Sequence, residues 1–380
     1  MKFIHTADWH LGKIVHGIHM TDNQKYMLQQ FLNIVEKEKP DAIIIAGDLY
    51  DRSVPPTEAV DLLNDILFTI NIDMKVPILA ISGNHDSAER LSFGTSWYKH
   101  SQLHLHGKLE EEIEPVRIGG VNFYCAPFAE PGVVRQLHGD ESIHSHQDAM
   151  KSIIGKIEKK MNVNEPNVFI GHAFVLGGQT SDSERVLSVG GSGCVSGDLF
   201  APFAYTALGH LHSPDAISHP SIFYSGSLMK YSFSEVNQSK SVNIVDMKPD
   251  GTFTVQKCPL IPKQDMREIK GYFNEIMDPA FYEKQNREDY LTITLLDEGS
   301  ILDPMQKLRQ IYPHALQLQR QYDQNDLKRK QSFTVLKGEN RTELQLFENF
   351  YEQMTERPFD EKKQLIMKEV IEEVKKEVEM

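Results

Sequence analysis

The chain has 380 residues, 40% hydrophobic and 25% charged, with a formal net charge of -14 at pH 7. That length asks for two or three domains with a sizeable core, and the acidic balance excludes a protein that coats nucleic acid by charge alone, so any such contact must be local. No apolar run is long enough to cross a bilayer, MKFIHTADWH lacks the basic and apolar regions of a signal peptide, and the widely spaced Cys125, Cys194 and Cys258 suit a reducing compartment, so a cytoplasmic protein is expected.

Up to about residue 260, short β-type runs alternate with amphipathic helical stretches, the pattern of a layered α/β domain. The runs predicted as strands are KFIHTAD, DAIIIAGD, PILAISGNHD, VNFYCAPF, NVFIGHA, YTALGHLH, IFYSGS and SVNIVDM. Between the first of them, DNQKYMLQQFLNIVEKEK and TEAVDLLNDILFTI carry apolar residues at helical spacing, the second opened by Pro55 and Pro56. Residues 263–337 read as a separate small α/β unit: strand MREIKGY, helix FNEIMDPAFYEK, strand DYLTITLLDE, helix DPMQKLRQIY, strand ALQLQR. The tail, 341–380, is helical. Thr342 and Gln345 have capping-box spacing before LFENFYEQM, and a second helix after Pro358 repeats Ile366, Val370, Val374 and Val378 every fourth residue. Such a stripe packs either on its own domain or in a partner's groove.

Polar clusters follow five of the predicted strands: Asp8 and His10 in TADWHLGK, Asp48 in IIIAGDLYD, Asn84 and His85 in SGNHDS, His172 in FIGHAF, and His210 and His212 in LGHLHS. Residues two apart in an extended chain point the same way. Singly, each cluster reads as a turn, a cap or a surface histidine. Together they carry more weight, because the carboxyl ends of strands in an α/β sheet face one crevice. Asp8, His10, Asp48, Asn84, His172, His210 and His212 offer only oxygen and nitrogen, and more donors than one octahedral ion can use. Two ions bridged by a carboxylate are implied, and the mixed donors suit manganese, iron or zinc better than magnesium or calcium. Two ions ~3.5–4 Å apart are the arrangement that activates water for displacement at phosphorus. The expected reaction is hydrolysis of a phosphate ester.

The series Asp-x-His, Gly-Asp, Gly-Asn-His-Asp, Gly-His and Gly-His-x-His resembles the calcineurin-type metallophosphoesterase superfamily. HTADWHLGK, AGDLYDRSVPP, SGNHDS and GGQTSDSERVLSVGGSG followed by ALGHLHSP narrow the resemblance to its bacterial SbcD family of nuclease subunits. The resemblance implies a layered β-sandwich flanked by helices over 1–262, a small α/β capping domain over 263–337 and a helical segment over 341–380 that binds an ATPase partner, SbcC. It implies that Asp8, His10, Asp48 and His212 hold one ion, most suitably Mn2+, and Asp48, Asn84, His172 and His210 the other. It makes His85 the acid that protonates the leaving 3′ oxygen, with Asp86 orienting that imidazole.

The resemblance further implies a dimer acting with two SbcC subunits, 3′ to 5′ exonuclease action on duplex ends and endonuclease action on hairpins, in DNA repair, recombination and replication. Where some relatives carry a histidine after Gly-Asp, this chain has Asp51 and Arg52, which are left outside the metal set. Lys13, His16, Arg52 and Arg90 adjoin the motifs and could either reach DNA phosphates or form surface ion pairs. GGQTSDSERVLSVGGSG lacks a Gly-Lys-Ser/Thr signature, so no nucleotide is expected on this chain and ATP must come through the partner. The competing readings are a protein phosphatase or small-phosphodiester hydrolase, which leaves the 263–337 unit and the tail unexplained, and a scaffold without catalysis, which would lack ligands or His85.

Overall fold

The computed structural model describes residues 1–185, 193–297, 300–321, 342–355 and 359–378. Residues 186–192 of the glycine-rich segment and 322–337 of the expected capping domain lie outside them. The eight predicted strands of the large domain all form. Counted in chain order, β1 (Lys2–Thr6) is followed by a small hairpin, β2 (Ile14–Val15) and β3 (Ile18–His19), then by β4 (Ala42–Ala46), β5 (Ile78–Ile81) and β6 (Leu103–His106). After them come β7 (Val116–Ile118), β8 (Val121–Ala126), β9 (Asn167–His172), a short parallel pair β10 (Phe174–Val175) and β11 (Cys194–Val195), β12 (Tyr205–Gly209), β13 (Ile222–Tyr224), β14 (Ser241–Met247) and β15 (Phe253–Pro259).

Two sheets result. One has the order β15-β14-β1-β4-β5-β6 and the other β13-β12-β9-β8-β7. Pairing is parallel through β1, β4, β5 and β6 and through β13, β12, β9 and β8, with antiparallel strands at the margins. Strands buried on both faces must be apolar at consecutive positions, and β4 meets that demand with Ile43, Ile44 and Ile45. Ile44 joins Phe3, Phe123, Val168, Ile170 and Tyr205 in the core between the sheets, while Ile43 and Ile45 face the opposite way into a core with Phe31 and Leu63.

That outer core is covered by α1 (Thr21–Glu38) and α2 (Thr57–Phe68), which starts after Pro56 in extended conformation. The short helices α3 (Ala88–Leu91) and α4 (Thr95–Tyr98) follow β5. The second sheet is covered by α5 (Pro131–His138) and α6 (His146–Glu158), whose Ser145 and Asp148 form a capping box. Each fully buried aliphatic or phenyl side chain in these layers contributes roughly 1.5–3 kcal/mol, and removing the Phe31 ring would cost about 3–5 kcal/mol. Not every polar group inside is functional. His5 lies between the sheets, bonded to Tyr205 Oη at 3.0 Å and the Leu208 carbonyl at 3.2 Å, and burial pushes its pKa down to about 3.

The elements without a sequence prediction are the short β2, β3, β6, β7, β10 and β11, the seven-residue β15, and the helices after β5 and β8, of which α6 runs for thirteen residues. Farther on, β16 (Met266–Gly271), β17 (Tyr290–Leu295) and β18 (Ala315–Arg320) form a three-stranded sheet. The helix expected over FNEIMDPAFYEK is two single turns, α7 (Phe273–Ile276) and α8 (Pro279–Tyr282). Pro279 cannot continue a helix from the preceding turn, and Asp278 caps the new one through the Ala280 N–H. A short helix, α9 (Pro304–Arg309), precedes β18.

The chain divides into two compact units, one of Met1–Ile269, Met277–Ile293 and Asp303–Leu318, the other of Lys270–Ile276, Thr294–Leu302 and Gln319–Met380. In the second, Thr342 and Gln345 make the expected capping box, with Thr342 N–H to Gln345 Oε1 at 3.0 Å and Gln345 N–H to Thr342 Oγ1 at 3.4 Å. The tail helices Glu343–Thr355 and Glu361–Val378 form a hairpin stapled by Phe359, which is buried against the rings of Phe347 and Tyr351. Among the described residues no helix is long and apolar enough to cross a membrane.

Candidate metal centre

The five polar clusters leave the carboxyl ends of β1, β4 and β5 in one sheet and β9 and β12 in the other, all at the same end of the sandwich. Two glycines make the approach of the sheets possible. A Cβ on Gly47 would lie 2.3 Å from His172 Nδ1 and one on Gly209 would lie 2.0 Å from the Ala46 carbonyl oxygen, so neither position accepts a side chain. Beyond them the chain turns sharply. Asp8, His10, Asp48 and His210 all have positive φ, at 52°, 46°, 50° and 101°. Strained backbone of this kind persists where the surroundings over-determine it and clusters at functional sites.

Asp8, His10, Asp48, His172, His210 and His212 are all buried, and Asn84 and His85 are half-buried. Ligand atoms of Asp8, His10 and His212 lie within 4.8 Å of one another, as do those of Asp8, Asp48 and His172. His172 Nδ1 meets the Ala46 carbonyl at 2.9 Å and must carry a proton there. Its Nε2 points at Asn84 Oδ1, 2.9 Å away, and at Asp48 Oδ2, 3.4 Å away; His210 Nδ1 lies 3.1 Å from the same Asn84 oxygen. Acceptors aimed at one another need a positive charge between them. His10 Nε2 and His212 Nε2 face each other in the same way at 3.0 Å, with Asp48 Oδ2 3.6 Å from the former. This donor set fits two divalent cations.

Electrostatics agree. Burial, with Asp48 nearby, raises the Asp8 carboxyl to about 7, although the imidazoles of His172 and His212 and the His210 N–H oppose the rise. Burial would lower His172, but the carboxylates of Asp48 and Asp8 outweigh it and lift the imidazole to about 9. Burial would likewise raise Asp48, and the His172 charge instead holds it well below the usual carboxylate range. Burial, then His172, pushes His210 down to about 3. In the metal-free protein a proton on His172 thus supplies the positive charge that the carboxylates demand.

Asp86 does not orient His85. Its carboxylate accepts the backbone N–H groups of Gly83, Leu49 and Tyr50 at 2.9–3.1 Å, tying the β4 and β5 strand ends together, and His85 Nδ1 instead meets the Asp51 carbonyl at 2.9 Å. A carboxylate next in sequence to a histidine in a tight turn cannot fold back onto that ring while it spans to a neighbouring strand. His85 N–H donates to Asp48 Oδ1 at 2.8 Å, and the His85 ring lies edge-on to His10, 4.7 Å between centroids.

Of the basic residues, Lys13 is paired with Asp51 at 2.7 Å and lies over the Tyr231 ring, whereas Arg52 is half exposed with a guanidinium 3.9 Å from Asp51. His16 and Arg90 are exposed. His16 and Gly17 both take positive φ in the turn between β2 and β3. Sequence reasoning assigned no role to Arg185, whose Nη1 reaches the Asn84 carbonyl at 3.3 Å, or to Ser183 and Glu184. The only signal was the SDSER segment itself. Glu235 and Lys240 give no signal at all.

A two-sheet α/β sandwich with candidate metal ligands at its strand ends is joined by a family match: the model described as calcineurin-like phosphoesterase covers residues 1–214. A second model, the SbcD C-terminal domain described as "Type 5 capsule protein repressor C-terminal domain", matches residues 262–355. The chain belongs to the SbcD family of calcineurin-like phosphoesterases. Two curated relatives carry the name of the D component of the nuclease SbcCD. One, from Staphylococcus epidermidis, is 40% identical over 94% of each chain, and the other, from Staphylococcus saprophyticus, is 38% identical over 93% of each chain. Among solved structures, a dimetal phosphatase from Danio rerio aligns at 10% identity over 69% of this chain and 96% of its own, with a TM-score of 0.43.

Proposed function

We propose that this chain is a metal-dependent DNA nuclease of the SbcD type, a hydrolase of phosphodiester bonds that works with an SbcC ATPase in DNA repair, recombination and replication. The observation that carries the reading is 40% identity over 94% of the chain to a protein named as a nuclease component. The match of residues 262–355 to the SbcD C-terminal model favours it over a protein phosphatase or a small-phosphodiester hydrolase.

In this reading Asp8, His10, Asp48 and His212 would hold one ion and Asp48, Asn84, His172 and His210 the other. Mn2+ suits such mixed oxygen and nitrogen donors. Bound there, the ions supply an activated water and neutralise charge developing at phosphorus. His85 protonates the leaving 3′ oxygen from Nε2 while Nδ1–H stays on the Asp51 carbonyl. The hydrogen bond from the His85 N–H to Asp48 keeps the acid in fixed relation to a carboxylate that would hold both ions, as positioned proton delivery requires. Arg52, His16 and Arg90 contact DNA phosphates from the rim, and Lys13 does so less directly because Asp51 already holds it.

The products follow as 3′ to 5′ shortening of duplex ends and opening of hairpins, in the cytoplasm. Residues 1–262 are the nuclease domain, 263–337 a capping domain and 341–380 the segment that docks on SbcC, in an assembly of two plus two. The adjoining exposed rings of Phe93 and Trp97, with centroids 6.4 Å apart, are the face proposed for a homodimer.

The test is digestion of linear and hairpin duplex DNA by the purified chain with Mn2+, with and without chelator and the ATPase, beside a phosphatase substrate. Expected is DNA cleavage abolished by chelator and by Asp48→Ala, which loses bound metal. Hydrolysis of the phosphatase substrate alone, or Asp48→Ala that keeps two ions and normal cleavage, overturns the reading.

A further inference from the structure

His212 is held at every polar atom that does not face the metal centre. Its N–H donates to Glu184 Oε1 at 2.7 Å, its carbonyl accepts from Lys240 Nζ at 2.7 Å, and its Nδ1 lies 2.6 Å from Ser183 Oγ. Ser183 Oγ is also 2.5 Å from Glu235 Oε1, and Glu235 Oε2 is 2.6 Å from Lys240 Nζ. Glu235 and Lys240 are buried at 0% and 4% exposure.

The direction of this chain of bonds is decided by proton counting. A buried carboxylate paired with an ammonium only accepts. Its Oε1 also takes Ser232 Oγ and the Tyr231 N–H, at 3.0 and 3.3 Å. Ser183 has one hydroxyl proton and must donate it to Glu235, since two oxygens 2.5 Å apart without a proton between them repel. The remaining lone pair of Ser183 then faces His212 Nδ1, so Nδ1 carries the ring proton and Nε2 is left bare, aimed at the centre. A metal ligand whose other ring nitrogen donates to an acceptor is fixed in both tautomer and orientation.

We propose that Ser183, backed by the Glu235–Lys240 ion pair, is the positioning residue that sets the tautomer of His212 for metal binding, and that the Ser-Asp-Ser-Glu-Arg segment latches that ligand in place. The segment grips the ligand twice, through Ser183 on its ring and Glu184 on its backbone, while Ser181 Oγ and its N–H hold the Glu184 carboxylate at 2.7 and 3.0 Å. The proposal rests on the two-ion reading of the centre, but its core claim concerns a protonation pattern present without metal.

The experiment uses the full chain. Nitrogen-15 NMR of labelled histidine in the metal-free protein, assigned with His212→Gln, reads the tautomer. Equilibrium titration with Mn2+ alone reads the two sites. Expected is an Nδ1–H signature for His212 in the unsubstituted protein, lost or mixed in Ser183→Ala and kept in Ser183→Thr, which retains the hydroxyl. Ser183→Ala should weaken one of the two Mn2+ sites by roughly 10–100-fold and spare the other, with Ser183→Thr close to the unsubstituted protein. An Nε2–H tautomer in the metal-free protein overturns the proposal, as do unchanged isotherms or equal weakening of both sites. A protein that shows the Nδ1–H signature but takes up no Mn2+ would instead sink the two-ion reading and leave the tautomer assignment standing.

Discussion

At His85 the contacts set the proposed acid apart from the candidate ligands that surround it. Its Nδ1 is engaged by the Asp51 carbonyl and its N–H by Asp48, so only Nε2 is free to act on substrate. His85→Asn should therefore keep metal and DNA binding and lose cleavage by about 10²–10⁴-fold, the contribution of general acid catalysis. Metal content and DNA affinity measured beside the rate check this, and loss of metal would make His85 a ligand. The protonation of the centre gives a second expectation. With His172 raised to about 9 and Asp8 to about 7, each of these two residues carries an ionisable proton below pH 7, and His172 alone between pH 7 and 9. Both must leave for an ion to bind, so affinity should rise with pH, about tenfold per unit for each proton displaced. Calorimetry in buffers of different ionisation enthalpy should show proton release on Mn2+ binding, more at pH 6 than at pH 8; a buffer-independent heat contradicts it.

Among the elements, the second tail helix has the clearest uncovered surface. Ile366, Val370 and Val374 are 53%, 42% and 52% exposed, and the Val378 side chain lies outside the described residues. Phe359, by contrast, is 5% exposed, so the hairpin packs its aromatic residues on one another and leaves the aliphatic stripe in water. Each such side chain is worth roughly 1.5–3 kcal/mol when fully buried. Changing Val370 and Val374 together to Asp should sharply weaken binding to the ATPase while basal Mn2+-dependent cutting continues, because every candidate ligand belongs to the other compact unit. Co-purification and circular dichroism check it: undiminished association removes the tail as the docking element, and an unfolded protein returns the stripe to the chain's own core.

For the whole molecule the candidate centre joins two sheets, with Asp8 and Asp48 from one and His172, His210 and His212 from the other, so ions bound there would clamp them. An ion at 100 times its dissociation constant adds about 2.7 kcal/mol to stability, so Mn2+ should raise the melting temperature by several degrees and a chelator should reverse it. Calorimetric melting decides it; a melting point indifferent to metal would mean the ions do not join the sheets. The eight central strands of the large domain and both tail helices were legible in the sequence because alternation, apolar runs and the Thr342–Gln345 cap are local signals, whereas β6, β7 and β15 were not. The gathering of the candidate ligands was legible too, since each follows a strand that parallel pairing forces to end on one side. The fate of Asp86, the pairing of Lys13 with Asp51 and the buried Glu235–Lys240 support for His212 were not legible. Glu235 and Lys240 are five positions apart, but most of those contacts join residues 28 to 52 positions apart, and only the tertiary packing of strand ends and the loops beyond them decides which neighbour a carboxylate, an ammonium or a ring nitrogen finds.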